Sequence, residues 1–219
     1  MAGVKVPPFN ADMEFRAMPI PEKHIKYYEK DLLEHALDNV AAGDDPLSPA
    51  NRNKVATAAQ VQMGIDLYRM AAKGMSEDQL LGEGHNSAVL GFHLEQAYGP
   101  RPPRCHAHAL VAGKHRYAAE LRLLMAILKI RIDNVDNGCW LPENTAATPH
   151  PSFPGAPPHS RIHRYNYFFW IFSRLGNLDD EGLFRTNLKV ISDILQQGHM
   201  PHYVLLPKGV GLPTNGIRF

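Results

Sequence analysis

Residues 104–115 read RCHAHALVAGKH, three histidines and a cysteine inside a run that otherwise reads as a short buried strand. A lone histidine beside apolar residues is ordinarily a satisfied core side chain. Three, at 106, 108 and 115, with more downstream, restrict the chain to folds that use imidazole near the core. About fifty residues on, His159 and His163 form a His-x-x-x-His pair at the head of the aromatic run HSRIHRYNYFFWIFSRL. That run reads as a helix starting near His159. On a helix, residues four apart share a face, so both imidazoles can aim at one point. Neutral imidazole is a common metal ligand, and His108 on the neighbouring strand would supply a third. Three ligands leave coordination positions open for water and substrate, as a catalytic site requires. Cys-x-x-Cys pairs, the mark of a closed structural zinc site, are absent.

The rest of the chain supports a mixed fold. Before the histidines, helical periodicity runs through Ile25, Tyr28, Leu32, Ala36, Leu37 and Val40, and Gly43 closes that element. A second helix is expected from about Arg52 to Lys73, stopped by Gly74. SEDQ at 76–79 has the capping-box pattern and opens a third helical piece. GPRPPR at 99–104 is a stiff linker and the expected domain boundary. Beyond it come a strand at CHAHALVA, a helix at HRYAAELRLLMAILKI and a second strand ending at Pro142. A proline-rich loop then leads to the aromatic helix, and a last helix spans about Asp180 to Gln197. The tail after Gly198 reads as irregular, with room for one strand. The expectation is an α+β, mostly helical fold, with an acidic helical extension over 1–100 and a functional domain over 101–219.

Charge divides at the same place. Residues 1–100 carry nine Lys and Arg against fourteen Asp and Glu, whereas residues 101–219 carry fourteen against eight. Eight of the twelve histidines also lie in the second part. A basic, histidine-rich module beside an acidic one suits handling of a polyanion, although segregated solvated charge gives the same count. The N-terminus lacks the apolar core of a secretory signal, and LLMAIL and YFFWIF are too short to cross a bilayer. No membrane partner is expected. Two cysteines, Cys105 and Cys139, make no disulfide framework and are read as reduced packing residues.

Taken in order, AHALVAGKHRYAAELRLLMAILKIRIDNVDNGCWLP and PHSRIHRYNYFFW resemble the AHH nucleases of the HNH/endonuclease VII superfamily. These are toxin domains of bacterial polymorphic and type VI secretion systems. Ala107 and His108 match the first two letters of the signature, Asn137 and Gly138 its middle, and His159 and His163 its final pair. The match runs over roughly residues 105–172. It implies a ββα-metal finger in which His108, His159 and His163 hold one divalent ion (Mg, Mn, Zn or Ni). Asn137 would hold a turn or orient the catalytic imidazole. The family's second histidine, its general base, falls on Ala109, and a methyl group cannot take a proton from water. The chain is therefore expected to bind metal and to cut nucleic acid poorly or not at all. A deliberate His-to-Ala knockout and a natural loss both fit that residue.

By the same resemblance the substrate is DNA in preference to RNA, and a cognate immunity protein is the expected partner. The toxin would be made in the bacterial cytoplasm, exported without a signal peptide and delivered into the cytoplasm of a target cell. Arg104, Lys114, Arg116, Arg161 and Arg164 are candidates for phosphate contacts, which give affinity without sequence choice. His106 faces the same side of its strand as His108 and could support a ligand. His115 is read as a surface residue and His150 is left unassigned. Tyr165, Tyr167, Phe168, Phe169, Trp170 and Trp140 are read as core. The alternative function is a non-enzymatic nucleic-acid-binding module with a structural metal. A metalloprotease is set aside, because Ser160 stands where the Glu after the first His is needed.

Overall fold

A computed structural model describes residues 30–213. The start of the first expected helix, with Ile25 and Tyr28, and the end of the tail lie outside the described residues. Most helix starts follow side-chain caps. In α1 (Leu32–Ala41), Asp31 and Glu34 close a capping box. The second helix, α2 (Pro49–Lys73), begins three residues before the expected Arg52. There Ser48 accepts from the Asn51 amide, and Pro49 needs no amide partner in the first turn. It ends at Gly74 as expected. Ser76 and Gln79 form the expected capping box of α3 (Glu77–Gly82), and Asn86 caps α4 (Ser87–Tyr98).

Strand β1 (Cys105–Ala109) pairs antiparallel with β2 (Gly138–Pro142), setting His108 opposite Cys139 and Ala109 opposite Gly138. Between them runs α5 (Ala119–Ile127); after them come α6 (Tyr165–Leu175) and α7 (Glu181–Gln197). The class is α+β and mostly helical, as expected. Under α4, Leu90 and Leu94 close over Cys105, Ala109, Val135 and Trp140. A larger core joins Leu121, Met125, Phe168, Trp170, Ile171, Phe184 and Leu188 from α5, α6 and α7. Each such side chain contributes about 1.5–3 kcal/mol by leaving water.

The two charge-segregated parts of the chain meet through their charges. Arg69 of α2 and Arg185 of α7 both donate to Asp136, at 2.9 and 2.8 Å, in the turn that leads into β2. Burial alone would raise the Asp136 carboxyl, but the Arg69, Arg185 and Lys189 charges hold it below its ordinary value. Arg131 pairs with Glu83, Arg122 donates to Leu81 O at 2.7 Å, and Lys129 donates to Met75 O at 2.9 Å. Cations of both parts thus cross the divide: Arg69 and Lys73 reach acids beyond residue 100, while Arg131, Arg122 and Lys129 reach back to the earlier helices. The 99–104 stretch joins α4 to β1, and α4 packs directly on that strand.

Two expectations are corrected. The tail forms a 3-10 turn at His202–Leu205, and no strand occurs there among the described residues. No α-helix runs from His159: a 3-10 turn spans His159–Arg161, and α6 starts only at Tyr165. Arg164, with φ −119° and ψ 164°, is extended and separates the two. Among the described residues no helix is long and apolar enough to cross a membrane.

Candidate metal centre

The break before α6 does not scatter the histidines. His108, His159 and His163 each offer a nitrogen, and these atoms all lie within 4.8 Å of one another. Their ring centroids stand 5.2 Å (108 to 159), 4.8 Å (108 to 163) and 5.3 Å (159 to 163) apart. An i, i+4 helical face is therefore not what joins His159 to His163. A tight turn followed by an extended residue brings the rings together instead.

His108 is fully buried, and its orientation follows from hydrogen-bond bookkeeping. Its Nε2 lies 2.9 Å from the Tyr167 hydroxyl, which lies 2.8 Å from Leu110 O. A carbonyl oxygen only accepts, so the single phenolic proton goes to Leu110. Tyr167 must then accept from Nε2–H, which leaves the lone pair of His108 on Nδ1. That Nδ1 is buried and has no hydrogen-bond partner among the described residues. An orphaned, lone-pair-bearing nitrogen beside two other imidazoles fits a metal ligand. Nitrogens at about 2.0–2.1 Å from a tetrahedral ion stand roughly 3.3–3.4 Å apart, so a pair at 4.8 Å would close by roughly 1.4 Å. The surface placement of His163 leaves room for that.

Electrostatics favour the ligand form. Desolvation, then the charges of His163, His159 and His85, push His108 well below its ordinary value. Desolvation and the charges of His106 and His85 lower His159. Desolvation and the charges of His159, His115 and His85 bring His163 down to about 4. All three are neutral near pH 7, and a neutral ring is what coordinates a metal. Three nitrogen donors with no carboxylate suit a borderline ion such as zinc, and they leave coordination positions free.

Around the trio, His106 Nδ1 stands 3.4 Å from His159 Nδ1, so its ring supports that of His159. Asn137 is buried and clamps the chain that leaves β1. Its Oδ1 accepts from Val111 N at 2.8 Å, while its Nδ2 donates to Ile132 O at 2.8 Å and Val111 O at 3.2 Å. Among the described residues none of these bonds reaches a histidine of the trio. Ala109 lies on the opposite face of β1 from His108, in the cluster with Leu90, Leu94 and Trp140, and is 4 % exposed.

Lys114, Arg116, Arg161 and Arg164 are exposed. Arg164 also donates to Leu205 O, and Arg116 lies over the Tyr117 ring. Arg104 is exposed but paired with Glu143 at 3.3 Å. His115 stacks on Phe168 at 4.2 Å, part-buried rather than on the open surface. His150 is buried and binds Pro103 O at 2.8 Å, a structural role. Cys105 and Cys139 are buried free thiols. Tyr167 was legible as core, but its hydroxyl's task was not, because no local pattern pairs residues 59 apart. Phe168, Phe169, Trp170 and Trp140 are core as expected, whereas Tyr165 is only partly buried.

Residues 91–196 match the family model of AHH, a nuclease family of the HNH/ENDO VII superfamily with conserved AHH. At that signature the chain reads Ala107-His108-Ala109. No curated protein and no solved structure matches it. Over residues 91–196, a little under half of the chain, the sequence is thus similar to the AHH nucleases of the HNH/ENDO VII superfamily.

Proposed function

We propose that this chain is a metal-dependent endonuclease toxin that hydrolyses phosphodiester bonds, of DNA before RNA, and that Ala109 leaves it slow. One observation carries the reading: the convergence of His108, His159 and His163, with the free nitrogen of His108 set by Tyr167. In this reading the three imidazoles hold one divalent ion, which when bound supplies positive charge for the phosphoryl and leaving oxygens. Tyr167 fixes the tautomer of His108. Asn137 fixes the exit of β1 on which that histidine depends. Exposed Lys114, Arg116, Arg161 and Arg164 contact backbone phosphates, with Arg104 a weaker contributor because of Glu143.

Ala109 stands where the family signature has its second histidine, and a methyl group takes no proton. General-base catalysis is ordinarily worth about 100- to 10,000-fold, so the chain should cut that much more slowly than one with histidine there. The toxin setting, delivery from one bacterial cytoplasm to another and an immunity protein as partner all rest on the family resemblance. Residues 1–100 would then be a packing extension or part of the surface the immunity protein covers.

Plasmid cleavage with magnesium, manganese or zinc tests the reading, comparing the chain with Ala109→His. Strong metal-dependent cutting by Ala109→His and weak cutting by the parent is the expected result. Position 109 is packed against Leu90, so thermal melting must accompany the assay, since overpacking costs about 1–3 kcal/mol. Absence of cutting by a folded Ala109→His chain on both DNA and RNA would leave a metal-bearing binding module as the better account.

A further inference from the structure

We infer that Arg116, Tyr117 and Lys208 form a phosphate subsite beside the histidine centre, which grips the nucleic-acid strand away from the bond to be cut. The inference deepens the nuclease reading above and rests on it for the identity of the anion. Lys208 lies outside the matched segment 91–196, so the family pattern assigns it no role.

Three donors converge at this place. Arg116 Nη2 donates to the Tyr117 hydroxyl at 2.7 Å, and the guanidinium carbon stands 4.6 Å from the Tyr117 ring centroid. Lys208 Nζ lies 5.9 Å from the same centroid and 5.0 Å from that of Tyr165. The two tyrosine rings meet edge to face at 5.0 Å. Because the Tyr117 oxygen accepts from Arg116, its own O–H is left to donate elsewhere. Desolvation would raise the Tyr117 hydroxyl, but hydrogen bonds and charges from Arg116 and Lys208 hold it below its ordinary value. Among the described residues no carboxylate pairs with Arg116 or Lys208, Glu120 one turn on included. Two like charges drawn to one phenol repel each other. A phosphoryl oxygen among them offsets that repulsion and accepts the remaining O–H.

The fold holds the donors in place. Asn166 is fully buried on α6 and serves the loop that carries Lys208. Its Nδ2 lies 2.8, 3.1 and 3.0 Å from the carbonyl oxygens of Tyr203, Pro207 and Val210, and its Oδ1 accepts from Gly209 N at 2.8 Å. His115 caps the turn that carries Arg116 and Tyr117, its Nδ1 accepting from Tyr117 N at 3.3 Å.

Phe168 joins this subsite to the centre. The His115 ring stacks on it at 4.2 Å, and its centroid lies 6.2 Å from that of Tyr117 and 6.0 Å from that of His163. One phenyl ring thus borders both the donors and a candidate metal ligand. A strand whose scissile phosphate sits at the histidines can bring a second phosphate to the subsite, a contact that positions the strand without reading its sequence.

The test is fluorescence anisotropy of a fluorescent DNA duplex with manganese over a range of salt. It compares the parent chain with Lys208→Ala, Lys208→Arg and Tyr117→Phe, with thermal melting of each. Lys208→Ala should lower the steepness of log affinity against log salt by about 0.9, the share of one neutralised phosphate, and Lys208→Arg should retain it. Tyr117→Phe should weaken binding about 2- to 10-fold at unchanged steepness, because it removes a donor and no charge. A diffuse basic surface would not sense that hydroxyl. Parent-like affinity in Tyr117→Phe, or parent-like salt dependence in Lys208→Ala, would overturn the inference, as would a parent that binds neither the duplex nor RNA. Ala109→His decides the nuclease reading separately. If it cuts while Lys208→Ala and Tyr117→Phe bind as the parent does, this inference alone falls. If binding behaves as expected but a folded Ala109→His chain cuts neither DNA nor RNA, the nuclease reading falls and the subsite stands as part of a binding module.

Discussion

The two faces of β1 do different work within five residues. His106 and His108 face outward from the sheet to His159, His163 and Tyr167, where polar groups are arranged around an unpaired nitrogen. Cys105 and Ala109 face the other way, into apolar packing under α4. One face keeps its hydrogen-bonding capacity in reserve, whereas on the other the Cys105 thiol is met by His150 Nε2 at 3.5 Å. Because strand side chains alternate, a chain can lose a group from one face without disturbing the other. Function and stability should therefore separate in mutagenesis everywhere but at position 109, where the second histidine of the family signature falls on the packed face.

The largest effects should come on the packed side. Asp136→Asn leaves Arg185 and Arg69 without their shared buried partner and should cost about 3–5 kcal/mol of stability at pH 7. Denaturant unfolding measures it. The sign with pH follows from the lowered carboxyl: Asp136 stabilises the fold above its unfolded-state pKa, and that contribution disappears as pH falls through its folded-state value. The gap between parent and variant should accordingly shrink below about pH 4. Leu90→Ala removes a fully buried side chain over Ala109 and Gly138 and should cost about 2–5 kcal/mol. Metal affinity should not change in the Leu90 variant; a large drop would show that the two faces are coupled.

On the imidazole face the effects should appear in metal binding. Tyr167→Phe frees the His108 tautomer and should weaken affinity by about 10- to 100-fold, since outer partners of metal-binding histidines carry that much. His106→Ala, which removes a longer 3.4 Å contact to His159, should weaken it by less than about 10-fold. Calorimetric titration with zinc or manganese ranks the two, and the reverse order would mean that His106 is itself a ligand.

Much of this architecture is legible in the sequence where the signal is local. Ser76 with Gln79, Gly74 after Lys73 and the short strand ending at Pro142 all mark real boundaries. The pairing of His108 with His159 and His163 was also foreseen, but for a wrong local reason. Periodicity continued α6 back to His159, whereas Arg164 is extended and breaks it. Arg164 is the extended N-cap of α6, its carbonyl accepting from Phe168 N, and an arginine there carries no capping signal that a sequence window could read. The Tyr167 hydroxyl and the His85–Asp133 pair are illegible for another reason. Their partners lie 59 and 48 residues away, and the side chains carry no spacing signature.

The most direct measurement is native mass spectrometry of the purified chain with zinc or manganese, beside His163→Ala. One divalent ion per chain, lost in His163→Ala while the fold persists, is the result predicted for a centre built by His108, His159 and His163. Equal binding by both chains, or none by either, would contradict it.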